Sequence, residues 1–305
     1  MASKKRFGLN LMDEIQNEGT VHHQAVAQVE ALTKRNLVVY ESFFSHPAGI
    51  IDDPDDGMIA KLLTSIDLSK YPGTLDLMMN SPGGSPTTAE KIILTCRSYT
   101  ESFRAIVPQS AMSAATLIAM GADSILMTET AEVGPIDPQM RMQTPQGPIS
   151  RPAAAWVDAY LDLVNKMQQA IVGKQPHHPF AEMLRKLDPS WIQVCLKARQ
   201  LAEKIALDYL HKYMLEGKSE DEVRDVVKNF LTEGEEFSHG RAIRAEKAKA
   251  YGLNVETIEK DSRLWEAITT LHARCEHFVQ TRGLAKYLVV RSGGIQVHVR
   301  QVQIS

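Results

Sequence analysis

Asn80-Ser-Pro-Gly-Gly-Ser85 and Gln109-Ser-Ala-Met-Ser-Ala-Ala115 are two Gly/Ser-rich turns, each set between a short apolar run and a helical pattern. Ahead of the first, Thr74-Leu-Asp-Leu-Met-Met79 has the length and apolarity of a buried strand; after it, Ala89, Ile92, Ile93 and Cys96 keep helical spacing. The second turn repeats the arrangement, with Phe103-Arg-Ala-Ile-Val107 before it and Ala114-Ala-Thr-Leu-Ile-Ala-Met120 after it. Backbone N–H groups at a strand-to-helix turn have no partner within the helix, and glycine lets another backbone approach closely. Paired turns of this kind predict an anion or oxyanion site with a hydroxyl beside it.

Outward from these turns the strand–helix alternation continues. Asn36 to Phe44 is strand-like and β-branched, a helix capped by Asp56 is expected through Ile66, and Ser124-Ile-Leu-Met-Thr128 reads as another short strand. Alternation with short turns predicts an α/β fold with a parallel sheet and helices on its faces. After Asp137 the texture changes. Residues 139–151 read as a small hairpin, and 152–231 are almost wholly helical: a helix at 152–172, a polar linker with Pro176 and Pro179, a long helix near 189–216, and a charged helix at 219–231 with Ser219 and Glu222 as a capping box. Gly252 stops a short helix, an amphipathic helix runs near 261–281, and the tail alternates by two around Gly293-Gly294 as a β-hairpin. The expected organisation is a helical arm at 1–35, a core at 36–151, a helical insertion at 152–234, a return to the core at 235–260, and a C-terminal helix and hairpin at 261–305.

Bulk properties narrow the class of function. The chain has 305 residues, 44% of them hydrophobic and 23% charged, as soluble globular proteins do. A net charge of -3 gives no general attraction to nucleic acid or anionic lipid. Cys96, Cys195 and Cys275 have no CxxC or metal-like spacing and read as thiols in a reducing compartment. No apolar run is long enough for a membrane span, and the basic N-terminus lacks the apolar core of a signal peptide, so a cytoplasmic location is expected. No metal or cofactor is expected either; His177-His178 has no third ligand at sensible spacing.

Three residues suggest nucleophilic catalysis. Ser113 starts a helix whose free N–H groups can stabilise an oxyanion. A serine hydroxyl needs a base, usually a histidine held by a carboxylate. Asp137 sits in a turn fixed by Pro135 and Pro138, and His239, in Phe237-Ser-His-Gly240, lies at a break between helices. Each also has a plainer reading: Ser113 as a simple N-cap, His239 as a structural loop residue, Asp137 as turn chemistry before proline.

Asn80 to Ser85, followed by Ser110-Ala-Met-Ser-Ala-Ala-Thr-Leu-Ile-Ala-Met-Gly-Ala-Asp123, resembles the Clp-protease/crotonase superfamily of serine peptidases. The spacing from Ser113 to Asp123 is similar to that of the signal peptide peptidase branch. With Glu132 to Gln139 and Phe237 to Gly240 included, the chain most resembles the serine dehydrogenase proteinase family. The resemblance implies a spiral of ββα units and a triad in the order Ser113, Asp137, His239. Gly83, Gly84 and the N–H of Ala114 would then form the oxyanion hole. It departs from the Clp protease subunit, whose histidine occupies the turn that here carries Asp137, and from the lysine peptidases, since 152–156 has no lysine; Lys166 is the nearest rival base.

The leading expectation is a serine endopeptidase acting through an acyl-enzyme on peptide or unfolded protein. It is expected to be a homo-oligomer, with an ATPase or other protein partner left open. A catalytically weak scaffold of the same fold and acyl-CoA chemistry on the same oxyanion geometry are the alternatives.

Overall fold

The computed structural model describes residues 18–144, 147–231 and 242–299. A seven-stranded sheet forms the centre. Its strands are β1 (Asn36–Ser42), β2 (Thr74–Asn80), β3 (Ser102–Val107), β5 (Ser124–Met127), β10 (Val255–Thr257), β11 (Leu284–Val290) and β12 (Gly293–His298), in the spatial order β10-β5-β3-β2-β1-β11-β12. The five from β10 to β1 are parallel, and the C-terminal hairpin β11–β12 adds antiparallel strands at the β1 edge.

Between the edge strands both faces of the sheet are buried, and the strand period of two divides the side chains between them. Leu37 and Val39 of β1, Met78 of β2, Ile106 of β3 and Leu126 of β5 face one side. There they meet Val26 and Val29 of helix α1 (Glu18–Thr33), and Ile268, Leu271, Cys275 and Phe278 of the late helix Arg263–Arg282. Val38, Tyr40, Leu75, Leu77, Met79, Phe103, Ala105, Val107, Ile125 and Met127 face the other side. Helices α2 (Asp55–Ser65), α3 (Pro86–Tyr99) and α4 (Ala114–Met120) cover it. All seven residues of α4 are buried; six are apolar, and the seventh, Thr116, has its hydroxyl hydrogen-bonded.

A second, three-stranded sheet stands where the chain turns from strand to helix. It comprises β4 (Ser110–Ala111), β6 (Glu132–Val133) and β9 (Ile243–Arg244), ordered β4-β6-β9. Ser81 joins it through a bridge to Ala111. Main-sheet strand, short second-sheet strand, helix is therefore a repeated unit: β3–β4–α4 is one copy, and β2–Ser81–α3 another. The fold is mixed α/β with a central, mostly parallel sheet.

Hairpin β7 (Gln139–Thr144) and β8 (Gly147–Pro152) leads into the helical segment, α5 (Ala153–Val172), α6 (His178–Arg185), α7 (Pro189–Tyr209) and α8 (Glu220–Lys228). The expected polar linker thus holds a helix of its own, because Pro179 sits in its first turn, where the missing N–H costs nothing. The expected long helix stops at Tyr209 and passes into a π turn at Leu210–Met214. The first half of α7 packs on α5 through Ile192 and Cys195 against Ala153 and Val157. Its second half, Ala202, Ile205, Ala206 and Tyr209, belongs to the main core beside α4. The capping box at Ser219 and Glu222 forms as the sequence predicts. Short helix α9 (Ala245–Ala250) joins β9 to β10, and α10 (Arg263–Arg282) precedes β11. At α2 the start differs from expectation: Asp55, not Asp56, does the anchoring. It is fully buried and accepts from Tyr40 Oη (2.7 Å), Lys286 Nζ (2.7 and 2.8 Å) and the Asp52 N–H (3.0 Å).

Candidate active site

The two turns lie side by side at the carboxyl ends of β2 and β3, and the register between them is set by backbone bonds. Ser81 N–H donates to Ser110 C=O (2.9 Å) and Met112 N–H to Ser81 C=O (3.0 Å). Asn80 Oδ1 takes the Ser110 N–H at 3.2 Å. The first turn is held from its other side by Ile51, whose N–H donates to Gly83 C=O (2.7 Å) and whose C=O accepts from Ser85 N–H (2.8 Å). This is a parallel bridge centred on Gly84, so the N–H of Gly84 points away from Ile51. Among the described residues it donates to no acceptor, whereas the Gly83 N–H is engaged by Ser81 Oγ at 3.2 Å.

Glycine is obligatory at both positions. Gly83 has φ +91°, and a Cβ there would lie 2.3 Å from Met112 O, 2.7 Å from Ser113 Cβ and 3.0 Å from Ala114 N. Gly84 has φ +154°, and its Cβ would lie 2.1 Å from Ile51 O. The first turn is thus pressed onto the second at the level of Ser113.

Ser113 itself has φ 51° and ψ -113°, a conformation that L residues rarely adopt and that typically costs about 1–3 kcal/mol. Its side chain makes no capping bond to α4, which removes the simple N-cap reading. The strained turn instead presents Cβ toward Gly83, and the Oγ has no hydrogen-bond partner among the described residues. Thr116 holds the turn from behind, donating from Oγ1 to Ala111 C=O (2.7 Å) and accepting from Gly134 N–H (3.1 Å). The N–H of Ala114, first in the helix, likewise has no acceptor among the described residues.

Ser113, Gly83 and Gly84 line a cleft of about 470 Å³ together with Phe44, His46, Ile50 and Gln139. His46 is a residue that the sequence reading passed over, because Ser45-His-Pro47 looks like ordinary loop. Its Nδ1 accepts the Ala48 N–H at 3.0 Å, so in the neutral ring the proton sits on Nε2. In that tautomer the ring's hydrogen-bond donor is Nε2.

Asp137 is fully buried at the entrance to β7. Its Oδ2 accepts from Ala154 N–H at 3.2 Å, and Arg199 of α7 stands 3.7 Å from Oδ1. Burial pushes its pKa up to about 6, against the opposing pull of the Ala154 bond and Arg199. Oδ1 accepts no hydrogen bond among the described residues. His239 lies outside the described residues. The chain on either side of 232–241 is nevertheless fastened next to Asp137. Ile136 N–H donates to Phe230 C=O at 2.8 Å, and Ile243 and Arg244 pair with Val133 and Glu132. Lys166 is exposed, paired with Asp162 at 2.7 Å, and takes no part in lining the Ser113 cleft.

Residues 50–160, which carry both turns, Ser113 and Asp137, match the family model of the ClpP-like SDH-type serine proteinases. This segment is similar to that family. The family is one of serine peptidases, as the resemblance implied. Two curated relatives come from Methanocaldococcus jannaschii. The uncharacterized protein MJ0137 is 26% identical over 228 residues, covering 75% of this chain and 68% of its own length. The uncharacterized protein MJ1495 is 25% identical over 250 residues, covering 82% of this chain and 71% of its own length. Both alignments extend well beyond the family segment, so the likeness includes elements outside the two turns. No described helix is long and apolar enough to cross a membrane.

Proposed function

We propose that this chain is a serine endopeptidase that cleaves peptide bonds through an acyl-enzyme on Ser113. The observation that carries the reading is the backbone of Ser113. A strained, buried serine with no capping bond is held against Gly83, beside two N–H groups with no acceptor among the described residues. Strain of this kind persists only where surrounding structure over-determines it, and here the Ile51, Ser81 and Thr116 bonds do so.

In the proposed reaction Ser113 Oγ attacks the substrate carbonyl. The developing oxyanion is taken by the Gly84 and Ala114 N–H groups, with Gly83 shaping the turn. Each such donor is typically worth on the order of 10²–10³ in rate. His239 removes the serine proton and returns it to the leaving amine, and Asp137 orients the imidazole. The open lone pair at Asp137 Oδ1 and the anchoring of both ends of 232–241 beside that residue support this part. Water then attacks the acyl-enzyme with the same base.

The substrate class is peptide or unfolded protein. We also propose a homo-oligomer, supported by the exposed apolar side chains Leu161, Ile171, Met183 and Val194 along α5, α6 and α7. Incubation with a fluorophosphonate probe, followed by mass spectrometry of the adduct, tests the nucleophile. Label on Ser113, lost in Ser113→Ala, is expected; a thermal shift with acyl-CoA and no label would favour the acyl-CoA alternative.

A further inference from the structure

Behind the active turns, on the side of the sheet away from α4, a largely buried polar network joins four parts of the chain. Glu41, at the end of β1, is fully buried. Its Oε1 accepts from Asn80 Nδ2 at 2.6 Å, and its Oε2 lies 3.0 Å from His272 Nδ1 of α10. The same imidazole reaches Gln109 Oε1 through Nε2 at 2.8 Å. Asn80 in turn accepts the Ser110 N–H (3.2 Å), so one side chain ties the first turn to the strand that delivers Ser113. Ser110 is also pinned by its hydroxyl, which donates to Glu132 Oε1 at 3.1 Å, and Gln109 by its carbonyl, which accepts the Glu132 N–H at 2.8 Å.

We propose that Glu41 and His272 are positioning residues for the Ser113 site. Together they orient Asn80 and Gln109 and so hold the two oxyanion turns in register. This rests on the serine-peptidase reading for its kinetic consequence but not for its structural one. Neither residue touches substrate; both act through the turns.

The network is also sensitive to protonation. Both ring nitrogens of His272 face acceptors, Glu41 Oε2 and Gln109 Oε1, an arrangement that suits an imidazolium donating twice. Burial disfavours that cation, but the hydrogen bond and attraction to Glu41 outweigh it, and the pKa of His272 is raised. Glu276 on α10 adds a second carboxylate near the pair, and Glu132 lines the same cavity as the ring. That cavity, about 350 Å³ and also lined by Gln109, Ser110 and Trp265, lets protons reach His272 from solvent. Because the folded-state pKa of His272 is raised, the doubly donating ring is present below that pKa and is lost as pH rises through it. Above that point Nε2 becomes an acceptor and no longer donates to Gln109 Oε1. Burial also raises the pKa of the ring's partner Glu41, against the bonds from His272 and Asn80.

The variants Glu41→Ala, Glu41→Gln and Gln109→Ala test this by two readouts: the pH profile of Ser113 labelling, and amide hydrogen exchange in peptides spanning 80–84 and 109–114. Glu41→Ala is expected to slow labelling about 100-fold, the usual scale for a misplaced reacting group. It should also speed exchange at both turns about tenfold or more. Glu41→Gln can accept from Asn80 and donate to a neutral His272, so labelling should stay within about threefold of wild type and lose its alkaline decline. Gln109 is exposed, so its replacement carries the same test if Glu41→Ala does not fold. Wild-type labelling rates and unchanged turn exchange in Glu41→Ala would overturn the proposal, as would an alkaline decline retained in Glu41→Gln. A wild-type chain that takes no label would remove the peptidase reading, and turn exchange alone would then decide the positioning role.

Discussion

Ser113, Gly83 and Asp137 each hold a conformation or charge state that folding alone would not favour, and each makes a separate prediction. Gly83→Ala would place a methyl 2.3 Å from Met112 O at φ +91°, so the two turns must separate. Labelling of Ser113 should fall about 100-fold or more with the far-ultraviolet circular dichroism unchanged; labelling at the wild-type rate would show that the turns need not touch. Asp137 behaves differently. Its folded-state pKa of about 6 exceeds the ordinary 3.8, so folding favours the protonated carboxyl, and that contribution to stability is lost as pH rises from near 3.8 through about 6. Asp137→Asn should therefore stabilise the protein above pH 6, by roughly 2–3 kcal/mol in denaturant unfolding, while slowing labelling. A variant both less stable and fully active would mean that Asp137 is only structural. In the wild type, labelling should decline as pH falls through about 6, where the carboxylate is lost. Of these residues the sequence marked Ser113, Gly83, Gly84 and Asp137 through their turn chemistry. It did not mark His46 or His272, because a lone histidine in a loop or helix shows nothing until tertiary contacts supply its partners.

Among the elements, the strands and the small helix α4 were legible because apolar runs bounded by Gly, Ser and Pro carry their own boundaries. Helix ends were less so. Asp56 looked like the cap of α2, but the buried partner is Asp55, and what selects it is Lys286, more than two hundred residues downstream. Asp76 is a similar case. Within the apolar run of β2 it is a conspicuous charge, and the structure explains it: its carboxylate is fully buried, meeting Arg35 Nε at 2.5 Å and Arg104 Nη2 at 2.6 Å. It thereby fastens the start of β1 to β3 across β2. Removing one member of a buried ion pair strands the rest, so Asp76→Ala should cost about 3–5 kcal/mol in urea unfolding. A loss under about 1 kcal/mol would mean that water replaces the carboxylate there.

For the molecule as a whole, the strand–helix alternation revealed an α/β fold with a mostly parallel sheet, whereas the way the helical segment packs was not readable from its helices alone. Half of α7 is core beside α4, and its Arg199 reaches Asp137, so the segment supports the site as well as extending from it. The three cysteines are free and buried, with Cys96 pushed up to about 12 by burial. A thiol reagent such as Ellman's should find none of them in the native protein and all three after denaturation; rapid native reaction would show that one of these core regions opens. The central claim is that Ser113 is a nucleophile set in an oxyanion site, and active-site labelling addresses it most directly. A fluorophosphonate should form one adduct per chain, mapped by mass spectrometry to the peptide containing Ser113 and absent from Ser113→Ala. An adduct on any other residue, or undiminished labelling and peptide hydrolysis in Ser113→Ala, would contradict it.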